Sequence, residues 1–429
     1  MPDAIADNIA QQITTYDNRI RKIEESSDAS RLSSNKAMYL LMRDYNKWML
    51  QHWLDRRPVA YGDARPPAHL LQSMDFVTIR IDSSAQQRFR DAGKYIDLAN
   101  REGFSTDVCT STRAGIGMVL AGDVPPPNLL YGDSFCCVPF YQRNYFLKQR
   151  FNVPFVGVDA GYYVDSQGDD FAAAVDYVAN QYAEMIPLLE QISGLRYDED
   201  RVRELQEHYW QAMQLAMEVQ EIIKAVPSPM AGRDSLRIYP AAADPEGLVK
   251  YLHALRDELK ERVAKGYAAV PGERLRLLWL QTPPLFVDSF TYLAKMGVAV
   301  ITEMGGLNVQ RFCTEPTEEQ FRSDLPLQRE ARWALNFHGH GPGEYRVRGA
   351  LRMCRDFNVH GVVHLNQRNC PFYASTARVI KERIESELGI PMLLIDGDFL
   401  DERDFDEARY YAQLEQFVGL CGSRKSERQ

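Results

Sequence analysis

Short apolar runs rich in β-branched residues alternate along this chain with longer helical stretches, and that alternation restricts the fold more than any other feature. In the first half the runs are Phe76 to Ile81 (FVTIRI), Asn128 to Tyr131 after three prolines, and Val153 to Val158 (VPFVGV). In the second half they are Leu275 to Gln281, Val298 to Met304, His360 to Asn366 and Pro391 to Asp396. Strands of this length, separated by helices, pair in parallel, because a crossover helix both joins parallel neighbours and covers their faces. The expected fold is therefore α/β: two Rossmann- or flavodoxin-like parallel-sheet domains.

The helical stretches set the expected boundaries. Ala4 to Ile23 and Asn35 to Trp53 carry apolar residues at three- and four-residue spacings and lead into a turn-rich segment, RRPVAYGDARPP, which predicts a helical N-terminal arm over 1–60. Phe171 to Lys224 is helical almost throughout, broken near SGLRYDED, and ends at AVPSPMAG. That break divides a first α/β domain, 61–230, from a second, 231–429. The second holds helices over Pro245 to Lys265, Glu344 to Phe357, Pro371 to Leu388 and Phe405 to Leu420.

Charge excludes one broad class. The 59 acidic side chains exceed the 50 basic ones, giving a formal charge of -9, whereas a general nucleic-acid binder needs a dense basic face to displace counterions. No nucleic-acid partner is expected. The opening MPDAIADNIAQQ lacks a basic segment leading into an apolar run, and no apolar stretch approaches a membrane span, so a cytoplasmic protein with no membrane partner is expected. The seven cysteines are then reduced thiols, available for packing, catalysis or metal binding.

Their local settings differ. Cys109, in STDVCTSTRAGIG, falls in a first helical turn with Asp107 or Thr106 as N-cap. Cys136 and Cys137 follow the strand-like LLYGDSF and precede the helical VPFYQRNYFLKQRF. Cys370 follows the strand GVVHLNQRN and precedes Pro371, a residue favoured at the first helical position. Strand-to-helix turns of a parallel sheet gather at its carboxyl edge, where helix N-termini present unpaired N–H groups and partial positive charge that favour thiolate ligands. The others lack this setting: Cys354 lies on the apolar face of a helix, Cys421 near the end of the chain, and Cys313 in a polar loop. A free cysteine is most often a small buried hydrophobe, no CxxC pair is present, and on spacing alone zinc is as defensible as iron and sulfur.

These residues resemble the 2-hydroxyacyl-CoA dehydratase and benzoyl-CoA reductase family, whose members include the 2-hydroxyglutaryl-CoA dehydratase D-component. The resemblance is carried by DVCTSTRAGIGM around Cys109, by LLYGDSFCC with its helix and VPFVGV, and by the ending from NVHGVVHLNQRNCPFYASTARVIKERIESELGIPMLLIDGDFLDERDF to QLEQFV. It implies that Cys109, Cys137 and Cys370, with Cys136 as the alternative to Cys137, hold one 4Fe-4S cluster with an iron left open. Relatives with further cysteines before the helix at Glu344 differ here, because this chain reads NFHGHGPGEYR. His338 and His340 in that loop are weak candidates for a proton donor or replacement ligand, against the commoner solvent-exposed histidine. His360 and His364, flanking a strand, read as structural, and Asp396 to Asp398 as a strand-end turn with an N-cap for the next helix.

The resemblance further implies a paralogous iron-sulfur subunit as partner, an ATP-hydrolysing activator as electron source, and an acyl-CoA substrate reduced by one electron to a ketyl-type radical. The chain has no GxxxxGK[ST] motif, consistent with ATP hydrolysis residing elsewhere. Dehydration of a 2-hydroxyacyl-CoA and reduction of an aromatic acyl-CoA are not separated by the motifs, although DVCTSTRAGIG leans toward the reductase. The alternatives are a non-catalytic electron-transfer or scaffold subunit, and a zinc or metal-free Rossmann-like protein.

Overall fold

The computed structural model describes residues 2–28, 30–62, 66–134, 137–161, 163, 168–230, 232–235, 244–302, 317–336 and 343–428. Cys136, Cys313, His338 and His340 lie outside them. Two four-stranded sheets, both wholly parallel, form the frame. The first contains β1 (Val59–Tyr61), β2 (Val77–Ile79), β3 (Leu129–Asp133) and β4 (Phe155–Val158) in the order β2-β1-β3-β4. The second contains β5 (Leu275–Leu280), β6 (Val298–Thr302), β7 (Gly361–Gln367) and β8 (Met392–Gly397) in the order β6-β5-β7-β8. The two orders are the same, and each reverses direction between its first and third strands, the switch point where open parallel sheets leave a crevice for ligands.

Two expectations are corrected here. The turn-rich segment over 56–67 contains β1, which pairs with both β2 and β3 and is therefore central. Its three residues are all buried, so neither the alternation nor the length that marks a strand in sequence is present. The run Phe76 to Ile81 is also shorter as a strand: it stops at Ile79, and Ile81 opens a helix.

The arm is a pair of long helices packed on each other, α1 (Pro2–Glu24) and α2 (Asn35–Leu54). Around the first sheet follow α3 (Ala68–Ser73), α4 (Ile81–Gln87), α5 (Ala92–Arg101), α6 (Thr110–Leu120) and α7 (Val138–Phe151). Next come α8 (Asp169–Ser193), α9 (Glu199–Ile222) and the one-turn α10 (Gly232–Ser235). The second half adds α11 (Pro245–Ala264), α12 (Ser289–Lys295), α13 (Glu318–Ser323), α14 (Pro326–Leu335), α15 (Gly343–Asp356), α16 (Pro371–Leu388) and α17 (Glu407–Arg428). Sequence explains their ends: Asp198 and Asp244 cap α9 and α11, Pro245 and Pro371 occupy first turns, and Gly194 and Gly389 close α8 and α16 in the left-handed region.

One apolar cluster joins the two sheets, holding Tyr61, Ile79 and Leu130 of the first with Leu277, Trp279 and Val363 of the second. A second cluster packs Tyr16, Ile20 and Met38 of the arm and Leu215 of α9 against Leu252 and Leu255 of α11 and Val362 of β7. Gly115 and Gly117 serve packing between α6 and its neighbours: a Cβ at Gly117 would run into the Tyr95 backbone carbonyl of α5. Cys421, near the end of the chain, is fully buried inside α17, which continues to Arg428.

Candidate functional site

Three of the cysteines stand at the same place in three different helices. Cys109 is the N-cap of α6, Cys137 of α7 and Cys370 of α16. For Cys109 this moves the cap from the expected Asp107 or Thr106 onto the cysteine itself. Cys137 and Cys370 follow β3 and β7, the corresponding strands at the switch points of the two sheets. All three are half-buried free thiols. Cys354 is fully buried in α15, a packing residue as expected.

Cys370 lies within electrostatic reach of both Cys109 and Cys137, which links thiols of the two halves. Burial raises the Cys109 pKa, and the neighbouring Cys370 thiol raises it further, while the amides of Ser111 and Thr112 oppose both. Burial pushes Cys370 up to about 11; the Cys137 thiol adds to the rise, and the amides of Tyr373 and Phe372 and the Arg346 guanidinium pull it down. First-turn N–H groups of α6 and α16 thus face the Cys109 and Cys370 thiols and favour their thiolate forms. Among the described residues, no three His, Cys, Asp or Glu side chains are grouped closely enough to hold one metal ion.

The convergence is built by contacts that neither half makes alone. Thr110, next to Cys109 and buried, donates to Asp398 Oδ1 at 2.9 Å, and Gln367 Nε2 donates to Asp398 Oδ2 at 2.7 Å. Asn369, in the left-handed region at φ 58°, turns the chain so that Cys370 caps α16, and its Nδ2 donates to the Thr106 carbonyl at 3.2 Å. Asp398 also accepts from the amides of Leu400 and Asp401, so it caps a turn and not a helix, since α17 begins only at Glu407. The acidic DGD turn is therefore an inter-domain clasp, a role its sequence does not display.

Neighbouring cations fix the helices. Arg143 of α7 is fully buried against the Asp82 carboxylate, and Asn144 donates to the Tyr131 carbonyl of β3 at 3.0 Å, which sets the register of the helix that Cys137 opens. Arg346 of α15 lies 4.4 Å from the Tyr373 ring centroid and donates to Thr376 Oγ1 at 2.6 Å, holding the first turn after Cys370. His360 Nδ1 accepts from the Arg276 amide at 3.0 Å, a structural role as expected.

The fold and the triad define a two-sheet parallel α/β protein whose thiols meet between its halves. Comparison with known proteins gives the family. The sequence model of 2-hydroxyglutaryl-CoA dehydratase, D-component, matches residues 64–419, and the chain belongs to this family. It is 26% identical over 387 residues to a benzoyl-CoA reductase subunit from Thauera aromatica, covering 83% of this chain and 87% of that one. It is 24% identical over 333 residues to the (R)-phenyllactyl-CoA dehydratase alpha subunit of Clostridium sporogenes, covering 74% and 77%. A third relative, the (R)-2-hydroxyisocaproyl-CoA dehydratase alpha subunit of Clostridioides difficile, is 22% identical over 393 residues, covering 86% and 91%. All three are named as subunits of acyl-CoA dehydratases or reductases. No helix among the described residues is long and apolar enough to cross a membrane.

Proposed function

We propose that this chain is an iron-sulfur subunit of an activator-driven enzyme that acts on an acyl-CoA thioester by one-electron reduction, with Cys109, Cys137 and Cys370 holding a 4Fe-4S cluster. The observation that carries the reading is the meeting of three cysteine N-caps, drawn from both sheets, within one another's electrostatic reach. The donor set suits the group: half-buried thiols, first-turn amides facing Cys109 and Cys370, and one nearby guanidinium. When bound, such a cluster supplies a single low-potential electron and an iron able to polarise an oxygen. The chain's own residues do the rest. Raised pKa values keep the Cys109 and Cys370 thiols protonated near neutrality, so ligation there releases protons, and the Arg346 charge favours the thiolate of Cys370.

A second, paralogous subunit and an ATP-hydrolysing activator complete the proposed system, since the relatives are named as subunits and this chain carries no phosphate-loop motif. The test combines the anaerobic chain with its partner subunit, activator, ATP and a low-potential reductant, and offers (R)-phenyllactyl-CoA and benzoyl-CoA separately. Turnover of one thioester that stops without ATP or activator is expected. Turnover independent of both, or of neither thioester, contradicts the reading.

A further inference from the structure

Arg346 of α15 is 4% exposed and reaches across to the first turns of α16, the helix that Cys370 opens. Its Nη1 donates to the Phe372 carbonyl at 3.3 Å and to Thr376 Oγ1 at 2.6 Å. The guanidinium carbon lies over two rings, 5.0 Å from the centroid of Phe372 and 4.4 Å from that of Tyr373. Hydrogen bonds and ring faces supplied from two to six positions beyond Cys370 therefore hold a side chain that stays charged at any working pH.

Taking a guanidinium out of water is costly, and an apolar side chain of similar length would pack against the same two rings without that cost. The charge itself must then be of use, and it acts in two directions. Toward the thiols it favours the Cys370 thiolate, against burial and the neighbouring Cys137. Toward the sheet it acts on His364 of β7, which is fully buried with its ring centroid 6.4 Å from that of Tyr373. Burial and this same guanidinium keep that imidazole neutral, so His364 adds no second positive charge beneath Cys370.

We infer that Arg346 sets the reduction potential of the group held at Cys370, its fixed positive charge making that group easier to reduce by one electron. The inference rests on the iron-sulfur reading proposed above. One electron enters from the low-potential donor, no bond forms or breaks, and no proton is needed for balance. The added negative charge lies within reach of a buried cation, which stabilises the reduced form more than the oxidised one. Arg346 is in this sense a positioning residue for electron entry, acting through the turn that presents Cys370.

The test is an equilibrium redox titration of the anaerobic full chain carrying its cluster, followed by electron paramagnetic resonance, with iron content measured in every variant. Arg346→Met keeps a long side chain against the rings and removes the charge. At a fixed potential its ratio of reduced to oxidised cluster should fall at least tenfold, a midpoint about 59 mV more negative for one electron. Arg346→Lys keeps the charge and should stay within threefold of the unaltered chain. Thr376→Asp keeps the arginine and sets a carboxylate against it; its ratio should fall at least threefold, and it carries the test if Arg346→Met takes up too little iron to titrate. A ratio within twofold of the unaltered chain in Thr376→Asp, or in an iron-loaded Arg346→Met, overturns the inference. So does a shift in Arg346→Lys as large as that in Arg346→Met, which would assign the effect to packing. An unaltered chain that takes up no cluster would remove the proposed function and this inference together, whereas a cluster with an unmoved midpoint removes the inference alone.

Discussion

His364 is fully buried on β7, and neither ring nitrogen has a hydrogen-bond partner among the described residues. Burial first, and the Arg346 guanidinium second, depress its pKa to about 3. The unfolded imidazole titrates at about 6.5, so below that value the unfolded chain takes up a proton that the folded chain refuses. The stability associated with a neutral His364 is therefore complete above about pH 6.5 and shrinks as the pH falls toward 3. By pH 5 the loss is about 2 kcal/mol. Urea unfolding at pH 7 and pH 5 is expected to show His364→Leu losing less stability than the unaltered chain by roughly that amount. An equal loss in both would show that the ring is charged, or solvated, in the folded state. His364 was legible as a buried strand residue from its apolar neighbours, whereas its missing partner is a tertiary property that no local pattern encodes.

Among the elements, the three helix starts that carry Cys109, Cys137 and Cys370 were readable because each joins a loop or strand signal to a helix signal within a few residues. Their convergence was not. It depends on Asp398 reaching Thr110 across 288 positions and on Asn369 reaching Thr106 across 263, and separations of that size leave no periodic trace. β1 escaped for a different reason: three buried residues among Pro, Gly and Asp give a turn composition and too short a run for a strand period. The clasp makes a specific prediction. Asp398→Ala removes an acceptor used by four donors in a buried site, and leaving Thr110 and Gln367 unsatisfied should cost about 2–4 kcal/mol in chemical denaturation. Asp398→Asn, which keeps one oxygen, should cost less. A change below about 0.5 kcal/mol in the alanine variant would remove Asp398 from the interface that aligns α6 with α16.

On the scale of the molecule, two sheets of the same strand order face one another through a shared apolar cluster and place Cys137 and Cys370 at corresponding switch points. The arm ties the halves together. Its early residues pack on α11, where Glu258 accepts from the amides of Ser33 and Ser34 at 2.9 and 2.7 Å. Its later residues reach the first sheet, with Tyr45 donating to the Thr78 carbonyl at 3.3 Å and His52 2.7 Å from Asp75. A rigid frame of this kind can hold thiols from distant positions at fixed separations, which an iron-sulfur cluster needs and a pair of loosely linked domains would not provide. The most direct measurement is the iron and acid-labile sulfide content of the anaerobically purified chain, taken with its low-temperature electron paramagnetic resonance spectrum after reduction. The account predicts about four irons and four sulfides per chain and a cluster signal, all lost in Cys109→Ala and Cys370→Ala variants that remain folded. Stoichiometric zinc, no metal, or a full cluster retained in either variant would contradict it.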